Sequence, residues 1–140
     1  MASDERNQIR VIVRSIEGFG ASVVKRIVLD CTANLTDPPN EGGTPIDTRW
    51  ASANWVPKIG GTFDGLAGDV ENVSTGAQQT GVAQVATGYQ LSQGIVTITN
   101  NVPYILKLNA GSSKQAPAGF VQAAILRAIQ GAKLGVSPRD

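Results

Sequence analysis

Histidine is absent from the 140 residues. That removes Ser-His and Cys-His nucleophile pairs, His-based metal sites and the commonest general base. Cysteine occurs once, at Cys31, so no disulfide closes within the chain and a reducing, cytosolic origin is expected. No apolar run approaches the roughly 18 residues of a membrane span. The N-terminal MASDERNQIR lacks the apolar core of a signal peptide. Neither sign of charge is in excess: 12 Lys and Arg against 11 Asp and Glu leave +1. Such a balance argues against a protein that coats nucleic acid.

What charge there is lies unevenly. Residues 1–35 hold five basic and four acidic groups, and Asp37 to Glu71 hold six carboxylates against Arg49 and Lys58. From Tyr104 onward stand Lys107, Lys114, Arg127, Lys133 and Arg139 against Asp140 alone. An acidic middle and a basic end suit head-to-tail packing or two different neighbours, and equally suit solvated faces with no partner.

Apolar periodicity organises both ends of the chain. Ile9, Ile12, Ile16, Phe19, Val23, Ile27 and Cys31 recur at steps of three and four, which predicts one long helix capped by Ser3 or Asp4. Gly18 and Gly20 predict a bend in it, and Asp37-Pro38-Pro39 predicts its end near Leu35. GFGASV fails as a dinucleotide loop because Val23 holds the third glycine position and no strand is expected before it. Thr44 or Asp47 is expected to cap a short helix carrying Trp50, Ala51 and Ala53. Trp55 to Ile59 reads as a strand that Pro57 confines to an edge.

Residues 60–81 read as a long loop or arm, Val82 to Tyr89 as a short helix, and Ile95 to Thr99 as the clearest strand. Val102 to Asn109 fits either a strand or a short helix. Phe120 to Ala132 reads as an amphipathic helix with Pro117 near its first turn and Gly131 and Gly135 at its end. The expected class is α+β, a single domain over 1–140: a long N-terminal helix, a small mainly antiparallel sheet with a long loop, and a C-terminal amphipathic helix.

Residues that could carry chemistry are few. Ser112-Ser113-Lys114 lacks the Ser-x-x-Lys spacing of serine–lysine enzymes, and polar turn residues before a helix are the expected alternative. The same turn, Gly111 to Lys114 running into a helix N-terminus, could hold an anion, with no nucleotide-loop pattern beside it. Asp64, Asp69 and Glu71 lack the ligand density of a calcium loop. Trp50 and Trp55, five apart, do not share a helix face, so either both enter the core or one sits at a rim.

Two segments together resemble the neck and tail-completion proteins of tailed bacteriophages. TPIDTRWASANW (Thr44–Trp55) is similar to their Thr-Pro-Val-Asp-Thr-Gly-Arg-x-Arg-x-x-Trp signature. NNVPYILKLNAGSSKQAPAGFVQAAI (Asn100–Ile125) is similar to their Asn-Asn-x-Pro-Tyr-Ala, Leu-Glu-x-Gly and Ser-x-Gln-Ala-Pro-x-Gly-Met-Val run. The two cover roughly a quarter of the chain. Arg49-Trp50 replaces the usual Gly-Arg, Leu108-Asn109 replaces Leu-Glu, and residues 60–81 have no counterpart.

The resemblance implies a non-enzymatic virion protein of the neck, made in the bacterial host cytoplasm, with no cofactor, metal or membrane. It would form a homo-oligomeric ring between portal-bearing head and tail, lining the channel through which DNA passes without sequence-specific contact. Portal or adaptor and tail proteins would be its partners. The motif residues expected at interfaces are Thr44, Pro45, Asp47, Thr48, Trp50, Trp55, Asn100, Asn101, Pro103, Tyr104, Gly111, Ser113, Lys114, Gln115, Ala116, Pro117 and Gly119. The acidic 37–71 region is expected to face the channel and the basic C-terminal part an acidic neighbour. A tail-terminator ring subunit is the nearest alternative, and a small anion- or nucleic-acid-binding module is the alternative of another class.

Overall fold

In the computed structural model of the chain, the described residues are 8–13, 20–45 and 49–135. Among them, β1 (Ile9–Val13), α1 (Ala21–Thr36), α2 (Trp50–Ala53), β2 (Val56–Ile59), α3 (Gly76–Gly88), β3 (Val96–Asn100), α4 (Ile105–Asn109) and α5 (Phe120–Gly135) follow in order. The class is α+β, with a three-stranded antiparallel sheet ordered β1-β3-β2.

The N-terminal stripe read as one helix is divided. Ile9 and Ile12 lie in β1, whereas Val23, Ile27 and Cys31 lie on α1. Ile16, Phe19, Gly18 and the expected caps Ser3 and Asp4 fall outside the described residues. Four of the five residues in IRVIV are β-branched, and such side chains fit a pleated surface better than a helix. Over five positions the helical spacing also satisfies alternation: Val11 and Val13 turn inward while Arg10 and Ile12 stay exposed. Pairing with β3, from Ile9↔Asn100 to Val13↔Val96, supplies the long-range partner that a local reading lacks. A strand therefore does precede GFGASV, and only the missing third glycine still argues against a dinucleotide loop. Helix α1 starts after Gly20, whose backbone is extended, and ends at Thr36 before Asp37-Pro38.

Strand β3 is buried at all five residues. Val11, Val13, Val96 and Ile98 share one face by register and join a buried cluster with Val24, Val28 and Leu35 of α1 and Phe120, Val121 and Ala124 of α5. Asn34 Nδ2 donates to Ala124 O at 3.1 Å, tying α1 to α5. In the same cluster, burial pushes the Cys31 thiol up to about 12, against the opposing pull of the Arg127 charge. A thiol held so fully protonated is no nucleophile near neutral pH.

Among the described residues β2 pairs only with β3, so Pro57 does sit on an edge strand. Helix α3 lies against that edge: a Cβ on Gly81 would come within 2.3 Å of Pro57 O. Proline and a closely packed helix both blunt an edge that would otherwise accept another strand.

The 60–81 loop ends earlier than its composition suggests, because α3 begins at Gly76. The short helix expected over Val82 to Tyr89 is the second half of α3; of its residues only Gly81 and Val85 are buried, so the first half carries no apolar stripe by which to read it. The remaining loop is pinned to the body of the protein rather than extended. Asn54 Oδ1 accepts from Ala67 N at 2.7 Å, and Asn54 Nδ2 donates to Ala67 O and Trp50 O at 3.1 and 2.9 Å. Residues 105–109 resolve as helix, and Gly131 lies inside α5 rather than at its end. A helical glycine costs only about 1 kcal/mol and does not stop a helix held by packing.

Candidate assembly site

Thr44 is fully buried at the junction of three elements. Its hydroxyl donates to Leu35 O at 2.7 Å and accepts from Trp55 Nε1 at 2.8 Å, and its backbone N–H also reaches Leu35 O. It therefore closes the C-terminal end of α1 instead of capping α2. The cap position of α2 is Arg49, which makes no side-chain cap bond, and Asp47 and Thr48 lie outside the described residues. Both tryptophans are buried. Trp55 is fully enclosed, while Trp50 is 8% exposed, donates to Gly68 O at 3.1 Å and meets the Tyr104 ring with centroids 6.0 Å apart.

Asn100 and Asn101 end β3 with different duties. Asn100 is fully buried; its Nδ2 donates to Ala51 O at 2.8 Å and its Oδ1 accepts from Val102 N at 3.0 Å. Asn101 Nδ2 donates to Phe63 O and Gly65 O at 2.8 and 2.9 Å, and its Oδ1 accepts from Gln8. The first residue thus joins the two motif segments, and the second holds the 60–75 loop.

Beyond Pro103, which is exposed, α4 closes with a left-handed Gly111 (φ 98). Ser112 N donates to Lys107 O and Gly111 N to Leu108 O, each at 3.1 Å, the paired bonds that satisfy a helix's last carbonyls. Asn109 then governs the entry to α5. Its carbonyl accepts from Gly119 N at 2.7 Å, its Oδ1 from Val121 N at 3.0 Å, and its Nδ2 donates to Gln122 Oε1. The Ser112–Lys114 tip does not run straight into a helix N-terminus, since Gln115 to Gly119 intervene and Asn109 already takes the Val121 N–H. Ser113 Oγ accepts from Gln115 N at 3.0 Å, Ala116 is buried, and Lys114 and Pro117 are exposed.

These elements enclose an open groove of about 440 Å³ lined by Pro45, Arg49, Ala51, Tyr104, Leu108, Ser112, Ser113 and Gln115. Every lining residue belongs to Thr44–Trp55 or Asn100–Ile125. Four of the expected interface residues meet there (Pro45, Tyr104, Ser113 and Gln115), with Trp50 behind Tyr104. Thr44, Trp55, Asn100, Gly111, Ala116 and Gly119 shape the fold around it instead. The sequence reading did not single out Ala51 and Leu108 as groove residues, nor Asn54 and Asn109 as positioning ones. Of these only Asn109 carried a signal, standing where the signature it resembles has glutamate.

Asp69 Oδ1 accepts from Glu71 N and Asn72 N at 2.9 and 2.8 Å, a turn-forming use of the carboxylate. Among the described residues no group of three His, Cys, Asp or Glu side chains could hold a metal ion, and no helix is long and apolar enough to cross a membrane.

The fold and groove define an α+β protein whose prominent concavity is a polar and apolar surface built by two distant segments. No family model, curated protein or solved structure matches the chain.

Proposed function

We propose that this chain is a non-enzymatic structural subunit of a tailed-bacteriophage neck, part of a ring that joins the portal-bearing head to the tail around the DNA channel. The observation that carries this reading is backbone handedness. Aligned on this chain, the family's two signatures place glycine at positions 49, 111 and 119. All three are left-handed here, with φ of 71, 98 and 82. Glycine adopts that region at no steric cost, whereas other L-residues rarely enter it. Position 49 is arginine in this chain and is the one described non-glycine residue with positive φ. A chance match of residue letters would not predict this conformation at a position where the letter itself has changed.

The two signatures also meet in space, through the Asn100–Ala51 hydrogen bond, the Trp50–Tyr104 ring contact and the shared groove. The Asn109 side chain takes the Val121 N–H at the start of α5, which leaves one donor fewer there for an anion.

The test is to add purified chain to DNA-filled heads lacking a neck and, separately, to tails, followed by negative-stain imaging. A ring at the portal vertex is expected. Rings capping only the tails would make the chain a tail terminator. No association with either particle would overturn the proposal.

A further inference from the structure

Folding accounts for neither of two surfaces that the chain carries. The first is the turn over 64–73, where Leu66, Val70 and Val73 are 44, 47 and 36% exposed and alternate with the exposed carboxylates Asp64, Asp69 and Glu71. This turn is pre-shaped. The Asp69 carboxylate holds two backbone N–H groups, Gly68 pairs with Val73, and Trp50 grips Gly68 O. A rigid turn that displays three apolar side chains has already met part of the ordering cost of docking.

The second surface is the groove. Arg49 lines it and is exposed, Lys107 precedes the lining Leu108, and Lys114 lies between the lining Ser113 and Gln115; both lysines are exposed. Among the described residues no carboxylate lines it. Between Lys58 and Lys107 the chain has three acidic residues and no basic one, and no acidic residue occurs between Glu71 and Asp140. The apolar, acidic turn and the basic-flanked groove are complementary in charge. None of residues 60–75 lines the groove, and Asn54, Asn101 and Trp50 fix the loop's base, so the chain does not fill its own groove.

We infer that the 64–73 turn of one copy seats in the groove of a second copy, with Asp64 and Glu71 against Lys107, Lys114 and Arg49. The inference rests on the ring reading above and names the contact that builds the ring; it takes the turn away from the channel wall. Complementary charge of this kind sets register and makes association salt-dependent.

The experiment uses the full chain with two double charge reversals, Asp64→Lys with Glu71→Lys and Lys107→Glu with Lys114→Glu. All four side chains are exposed, and Asp69 is left in place because it shapes the turn. Unchanged circular dichroism and melting would confirm that both variants fold. In sedimentation velocity at low salt the parent self-associates, and added salt weakens it. Each variant alone loses at least about tenfold in association, and mixing the two restores it, because each groove then meets a turn of opposite charge. Parent-like association of either variant, no restoration on mixing, or a parent monomeric at its highest soluble concentration would overturn the inference. Rings at the portal vertex that persist in both variants would sink this contact while leaving the neck reading intact. Loss of portal docking by the parent itself would sink the neck reading.

Discussion

Behind the groove, Thr44, Trp55 and Asn100 are each 0% exposed with their polar side-chain atoms hydrogen-bonded; in front of it, Ser112, Lys114 and Gln115 are exposed. Both groups come from the same two motifs. The rear group holds α1, α2, β2 and β3 in one arrangement, and the front group presents a surface. Residue letters that travel together in a motif can therefore serve two physical ends. Burial and hydrogen-bond saturation tell them apart.

Substitutions should separate the two groups by size of effect. Trp55→Ala empties a fully enclosed indole site and removes the donor to the Thr44 hydroxyl, so a loss of about 3–5 kcal/mol is expected in denaturant unfolding. A loss under about 1 kcal/mol would mean the rear group is not the fold's anchor. Asn100→Ala leaves Ala51 O and Val102 N without their partner, with an expected cost of about 2 kcal/mol. Asn100→Asp keeps the acceptor for Val102 N but sets a buried carboxylate against Ala51 O, so near neutral pH it should cost at least as much as Asn100→Ala.

The Cys31 thiol provides a pH probe of the same buried side. Its folded pKa is raised from the ordinary 9.0 to about 12, so above pH 9 the unfolded chain releases a proton that the folded chain retains. The stability this group contributes is fully present below 9 and is lost as pH rises toward 12, at about 1.4 kcal/mol per pH unit. Cys31→Ala should flatten that part of the alkaline decline when the two unfolding profiles are overlaid.

Thr99 gives the opposite sign. Its Oγ1 is buried with no hydrogen-bond partner among the described residues, so Thr99→Val is expected to raise stability by about 1 kcal/mol. A fall in melting temperature would reveal a partner for that hydroxyl. The front group should respond least: Ser112→Ala and Lys114→Ala are expected to stay within about 0.5 kcal/mol of the parent. A larger drop in either would erase the distinction between front and rear.

Legibility in the sequence followed locality. Strand β3, the edge position of Pro57, the end of α1 and the span of α5 were readable because β-branched runs, proline and helical periodicity act over a few residues. Residues 9–13 misled, since five residues cannot separate a three-four spacing from an alternation, and the partner that decides lies at 96–100. The second half of α3 was readable from Val82 onward, but its first half was missed because residues 76–80 place no buried side chain on the core and only Gly81 follows them. Thr44 was assigned to the nearer helix, whereas its bonds run back to Leu35 and across to Trp55.

By itself the sequence determined the α+β class, the absence of histidine chemistry, the uneven charge and the two motif segments, all of which depend on residue identity and short spacing. Only the tertiary structure decided that the segments meet, that positions 49, 111 and 119 share one handedness, and that the Asn109 side chain closes the start of α5. Those depend on contacts between residues far apart in the chain, and a buried polar group takes whichever partner the packing brings within reach.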